Sequence, residues 1–182
     1  GESVVVFGAG GIGLNIVQAA ALVSAGPIIA VDRFDSRLEL AQQMGATHCI
    51  NSNSSDPEQA IQQALSGQVL DVFIDNTGVP TIIELGYGLT HRQGRVVLVG
   101  VPRQCNMVKF YSLPLHFGKQ LTGSQGGESL PHLDIPRYLR LQQRGQLELE
   151  KLVSAHYALD EINLAIRAMR DGATAGRVMI RF

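Results

Sequence analysis

Near the amino terminus, Gly8-Ala9-Gly10-Gly11-Ile12-Gly13 has the G-x-G-x-x-G spacing. It follows the apolar run Ser3 to Phe7 and leads into Ile12, Ile16, Ala19 and Val23 at helical spacing. Strand, turn and helix in that order is the setting the motif requires. Gly8 permits the tight turn, Gly10 lets a pyrophosphate approach the backbone, and Gly13 lets the helix pack closely on the strand. The helix N-terminus adds free N–H groups and a partial positive charge. Asp32 ends the second apolar run, 19 residues after Gly13. A carboxylate there can accept hydrogen bonds from both hydroxyls of an adenosine ribose, and it repels a 2′-phosphate, which favours NAD over NADP. Taken singly, these residues are a ligand-free glycine turn and a helix-capping Asp; in register with each other they indicate dinucleotide binding. Arg33 counts the other way, since a basic side chain there can accommodate a phosphate. Arg37, one helical turn along, either reaches the ribose and adenine or is a solvated surface residue.

Other site residues are expected at the carboxyl ends of strands, where open α/β sheets bind ligands. Those positions are Asn76-Thr77-Gly78 and Val99-Gly100-Val101. Backbone carbonyls there can hold a carboxamide, and Val99 and Val101 can pack on a nicotinamide ring or simply belong to the core. Methyl transfer is the competing chemistry for a glycine-rich loop. Such enzymes commonly carry an acidic residue just before the first glycine, where this chain has Phe7. The five histidines, His48, His91, His116, His132 and His156, form no i, i+4 pair, and two cysteines, Cys49 and Cys105, cannot make a four-ligand zinc site. No metal ligand is expected among them, and two thiols suit a reducing cytoplasm.

The elements that must position these residues follow from periodicity. Ser3–Phe7, Pro27–Val31, His48–Ile50, Val69–Ile74 and Arg95–Val99 are short apolar runs without alternation, as expected of strands buried on both faces. Asp35 is expected to cap a second helix that stops at Gly45, and Pro57 and Pro80 to open two more. Alternating strands and helices predict a doubly wound, mostly parallel six-stranded α/β sheet with helices on both faces. Further on, Lys119–Ser124 reads as the sixth strand. Asp134 and Pro136 are expected to open a helix that Gly145 ends, Leu152–Tyr157 to form a strand, Ile162, Ala165, Ile166 and Met169 to give a helical stripe, and Arg177–Phe182 to close as a strand. The 182 residues fit one domain, with 1–125 as its core and 126–182 as further helices and strands. The start Gly1-Glu2-Ser3, without Met, is expected to continue a longer protein. A formal net charge of -1, 5% aromatic residues and no Trp argue against a nucleic-acid partner, and no apolar run is long enough to span a bilayer.

The stretches VVVFGAGGIGLNIVQAA, IIAVDRFDSRLELAQQMGATHCIN, DVFIDNTG, GRVVLVGVP, KQLTGSQGG and YALDEINLAIRAMRDGATAGRVMIRF resemble, in order, the coenzyme-binding half of a medium-chain dehydrogenase/reductase of the zinc-type alcohol dehydrogenase branch. The resemblance covers nearly the whole chain. It implies a pyrophosphate loop of Gly8, Gly10, Gly11, Ile12 and Gly13, and an adenosine-ribose pair of Asp32 and Arg37. Thr77 and Gly78 would form a wall near the adenine and the nicotinamide ribose. Val99 and Val101 would meet the nicotinamide, Ser124 and Gln125 would lie beside its carboxamide, and Arg177 would pair with the pyrophosphate. It further implies NAD(H) as cofactor, an alcohol, aldehyde or ketone substrate, and zinc ligands in a catalytic part upstream of this chain. The homodimer it implies pairs along the sixth strand through Leu121-Thr122-Gly123 and the apolar stretch Val108–Phe117. Two other readings stay open: a zinc-independent quinone or enoyl reductase using NADP(H), and a non-catalytic NAD-binding module of a fusion protein.

Overall fold

A computed structural model describes all residues from Gly1 to Phe182. Its elements run β1 (Val4–Phe7), α1 (Gly11–Leu22), β2 (Ile28–Asp32), α2 (Asp35–Gln43), β3 (His48–Asn51), α3 (Pro57–Leu65), β4 (Leu70–Asp75), α4 (Pro80–Leu89), β5 (Thr90–Leu98), β6 (Gln120–Gly123), α5 (Pro131–Gln143), β7 (Val153–Ala158), α6 (Ile162–Arg170) and β8 (Arg177–Arg181). Six strands form one sheet in the order β3-β2-β1-β4-β5-β6, and β7 and β8 pair in a second, two-stranded sheet. All pairings in both sheets are parallel.

The unbroken apolar runs are explained by two cores, one on each face of the sheet. Val4 and Val6 of β1 join Leu14, Val17, Leu38 and Ala41 of α1 and α2 in the first core. Val5 and Phe7 join Ile61 and Leu65 of α3, Tyr87 of α4, and Phe73 and Val96 in the second. Successive residues of a strand point to opposite faces, so a strand covered on both sides is apolar at every position. Strand order reverses between β1 and β4, so their first connections run outward in opposite directions and leave a crevice at their carboxyl ends.

Three expectations are corrected. Phe34, not Asp35, precedes the first turn of α2; Asp35 is its first residue, and its carboxylate accepts from Asn51 Nδ2 at 2.6 Å instead of capping. Helix α5 starts at Pro131, a turn before Asp134, whose carboxylate reaches back to Leu130 N–H at 2.8 Å; Pro136 therefore lies inside the helix. Strand β5 reaches back to Thr90, with an irregularity opposite Leu70 and Val72. Helix α6 forms as the stripe implies, with Ala165 buried and Ile162, Ile166 and Met169 38%, 39% and 50% exposed. No helix is long and apolar enough to cross a membrane.

Candidate functional site

A cavity of about 730 Å³ opens at the carboxyl ends of β1, β2 and β4. It is lined by the segments that follow β1, β2, β3 and β4, with Arg177 added from β8.

The glycine turn forms its floor. Gly8 has φ +96°, in the region that favours glycine. A β-carbon on Gly13 would overlap the Gly8 carbonyl oxygen, so only glycine lets α1 sit this close to β1. Gly10, by contrast, faces open space with no atom within 4 Å of where a β-carbon would stand. The first turn of α1 has no side-chain cap and no acidic residue. Its N–H groups therefore remain available to an anion. Arg177, 166 positions away in the chain, lies directly over Gly11: a β-carbon there would meet its Nε at 2.6 Å.

Asp32 sets the other end. Its side chain is 5% exposed, and main-chain N–H groups hold it. Oδ1 accepts from Arg33 N at 2.8 Å and Phe34 N at 3.1 Å, and Oδ2 accepts from Ala9 N at 2.8 Å. The carboxylate thus fastens the end of β2 to the glycine turn. Of its roughly four lone-pair sites, three are used, and Arg37 Nη1 stands 3.6 Å from Oδ2. The two residues expected together at the adenosine ribose thus stand side by side, with the carboxylate already engaged by three main-chain donors. Arg33 and Arg37 both lie over the Phe34 ring, at 5.1 Å and 4.7 Å from its centre. Phe34 is itself seated on Gly172, where any β-carbon would overlap its ring.

Gly8, Gly10, Gly11, Ile12, Gly13, Asp32, Arg33, Arg37, Thr77 and Arg177 all line this cavity. The structure does not bring Gly78, Val99, Val101, Ser124 and Gln125 into it. They follow β4, β5 and β6 further along the sheet edge, with Val101 89% exposed and Ser124 N–H bonded to Leu98 O at 2.8 Å. Ser52, Pro57, Asn76, Val79 and Ile82 also line the cavity. Ser52 and Pro57 follow β3, a strand too weak in sequence to flag what comes after it. Arg37 Nε and Asn76 Oδ1 are buried without a partner, and both residues border the cavity. Orphaned polar atoms beside an open, glycine-floored cradle fit a polar, anionic ligand that spans both ends.

No three His, Cys, Asp or Glu side chains gather to hold a metal ion, so zinc has no donor set among these residues. Cys49 donates its thiol to Leu38 O at 3.3 Å, and burial pushes that thiol up from its ordinary value, away from thiolate chemistry.

Fold and cavity together define a doubly wound Rossmann-type domain, with its ligand crevice where the strand order reverses. The profile described as zinc-binding dehydrogenase matches residues 11–144, and the chain belongs to that family. It is 33% identical over 181 residues to an S-(hydroxymethyl)glutathione dehydrogenase of Synechocystis sp., covering 98% of this chain and 49% of that protein. Benzyl alcohol dehydrogenase from Acinetobacter calcoaceticus superimposes with a TM-score of 0.88 and 38% identity, over 99% of this chain and 50% of its own. A structure from Sinorhizobium meliloti 1021 bound to NADP gives 0.80 and 28%, over 99% and 52%. The chain spans about half the length of the curated relatives it matches.

Proposed function

We propose that residues 1–182 form an NAD(H)-binding unit, the coenzyme half of a zinc-type alcohol dehydrogenase-like oxidoreductase that interconverts an alcohol with its aldehyde or ketone. Segment 126–182 would return toward the catalytic part. The observation that carries the reading is the cleft itself. The free N-terminus of α1, under Arg177, and the Asp32–Arg37 pair lie along one cavity, and these are the two features a dinucleotide uses for its pyrophosphate and adenosine ribose. Gly10 and Gly11 offer backbone N–H groups to the pyrophosphate, and Arg177 adds positive charge from above. Asp32 takes the ribose hydroxyls in company with Arg37, and Arg33 borders the same end. Thr77, Gly78, Val99, Val101, Ser124 and Gln125 continue toward the nicotinamide end. A bound nicotinamide supplies the hydride donor or acceptor; the residues of this chain bind it and orient it.

Two further expectations belong here. The chain is assigned to the cytoplasm, which suits its two free cysteines. A homodimer along β6 is supported by the position of that strand at the sheet edge and by exposed Tyr111, Leu113 and Phe117 in the segment that leads into it.

Titration of the 182-residue chain with NADH, followed by fluorescence, tests the reading. Saturable binding that ADP displaces is expected, and no binding of either would overturn it. A reductase using NADP(H) is the second reading, favoured by the engaged carboxylate of Asp32 and the two guanidiniums beside it. NADPH binding tighter than NADH would decide for it.

A further inference from the structure

Asp75 is a carboxylate with 0% exposure and no cation among its bonding partners. It ends β4 beside Phe7 of β1 on one side and Leu98 of β5 on the other, next to the reversal of strand order. Removing a carboxylate from water is costly, and N–H and O–H donors must offset that cost. Here five donors converge on this one residue. Its Oδ1 accepts from Thr77 N at 2.9 Å and Thr77 Oγ1 at 2.6 Å, and its Oδ2 accepts from Gly78 N at 2.9 Å. Its main-chain oxygen takes Val99 N at 2.8 Å and Gly100 N at 2.9 Å.

The turns after β4 and β5 consequently press backbone against backbone. Gly78 has φ +67°, and a β-carbon on it would meet the Val101 carbonyl at 2.7 Å; one on Gly100 would overlap the Gly78 nitrogen. Thr77 is fixed as well. Its hydroxyl donates to Asp75 and accepts from Val79 N at 3.1 Å, while its methyl lies toward Gly8. The side chain therefore offers the cleft a methyl surface and no free hydroxyl.

We propose that Asp75 is the positioning residue of the nicotinamide end: its buried carboxylate and its carbonyl lock the Asn76–Gly78 and Val99–Val101 turns together, and that lock holds the wall a nicotinamide ribose and ring would rest on. The inference rests on the dinucleotide reading above. It differs from that reading in what it demands. The adenosine half is held by Asp32, Arg37 and the glycine turn, none of which bonds to Asp75; the Asn76–Gly78 turn touches that half through Asn76 Nδ2 on Gly8 O at 3.3 Å and the Thr77 methyl, so loss of the lock weakens a whole dinucleotide far more than a ligand that ends at the phosphates.

Asp75→Asn is the test. Asparagine keeps the shape and the main-chain bonds to Val99 and Gly100 but sets an NH₂ group against the Thr77 or Gly78 N–H, so the Asn76–Gly78 turn must open. The 182-residue wild type and variant are titrated with NADH by fluorescence and with ADP by calorimetry. The variant is expected to bind NADH about tenfold or more weakly, the scale of one lost hydrogen bond to a charged group, with ADP unchanged within about twofold. Equal weakening of NADH and ADP, or no change in either, overturns the proposal. Wild type that binds neither ligand overturns the dinucleotide reading instead. If Asp75→Asn does not fold, Thr77→Val carries the test, since it removes the hydroxyl bond to the same carboxylate, together with the one that hydroxyl accepts from Val79 N. A selective loss of NADH supports the proposal, and an unchanged NADH-to-ADP ratio overturns it.

Discussion

Asp32 does two things that a single substitution separates poorly. It accepts three main-chain N–H groups and faces the cleft beside Arg37. Asp32→Ala orphans those donors and is expected to weaken NADH binding by about 1–3 kcal/mol while also lowering the unfolding midpoint. Calorimetry and thermal unfolding on the same sample read both effects, and an unchanged affinity would remove Asp32 from the ribose subsite. Arg37→Gln keeps the carboxylate in place and is expected to weaken NADH alone. Arg177 shows why one side chain was hard to place from sequence spacing. It reaches Gly11 only because β7 and β8 pair in parallel and carry it back across the top of α1, and no local pattern encodes that return.

Among the elements, the β1–α1 contact has the least tolerance. Gly13→Ala puts a methyl into the Gly8 carbonyl and is expected to destabilise the fold by about 1–3 kcal/mol, the range for overpacking, with a lower denaturation midpoint as the readout. Helix α4 is finished by a distant residue. Lys119 is 7% exposed, and its ammonium donates to the carbonyls of Tyr87 and Thr90 and lies 4.2 Å from the Tyr87 ring centre. Lys119→Met strands both carbonyls and is expected to cost about 1–3 kcal/mol. Strand β6 leaves an open edge, but Leu121 packs against the second core, so a charge at that position would disturb folding as well as association. Thr122 is exposed, and Thr122→Lys is the cleaner probe. Sedimentation at micromolar concentration is expected to give a dimer for the wild type and a monomer that still binds NADH for the variant. A monomeric wild type would dismiss the edge as an interface.

For the molecule as a whole, ligand and pH act on the same folding equilibrium. A dinucleotide that binds only the folded chain stabilises it by about 2.7 kcal/mol at a hundred times its dissociation constant, so NADH is expected to raise the melting temperature. Glu2 is joined to Arg95 by two contacts of 2.7 Å, tying the amino terminus to β5, and the hydrogen bond from Arg95 holds its carboxyl below the ordinary value of 4.5. A depressed carboxylate gives stability that is present in full above the unfolded value and is lost as pH falls toward the folded one. The pair is half exposed and its contribution is correspondingly small. Glu2→Gln is expected to flatten the melting profile below about pH 4.5 and to leave neutral pH nearly unchanged. With no metal donor set in the chain, the 182 residues alone are expected to reduce no NAD with alcohol and to hold no stoichiometric zinc by elemental analysis.

What the residues determined unaided was local or periodic. Apolar runs such as VVVF and IIAVD mark strands covered on both faces, Gly8 and Gly13 mark a turn that a β-carbon would strain or obstruct while Gly10 faces open space, and Asp32 is placed by counting along one βαβ unit. The starts of α3 and α4 were legible because Pro57 and Pro80 act on their own first turns. Tertiary structure decided everything that depends on separate segments meeting. It turned Asp32 inward onto Ala9, seated Phe34 on Gly172 and Arg177 on Gly11, and buried Ala165 of the α6 stripe while leaving Ile162, Ile166 and Met169 open. It also gave Asp75 its role, since an acidic residue at a strand end carries no mark of the five donors that fold around it. The reason is range. Sterics and periodicity act over a few residues and can be read in order, whereas the partners of a buried charge are chosen by which distant turns the sheet sets side by side.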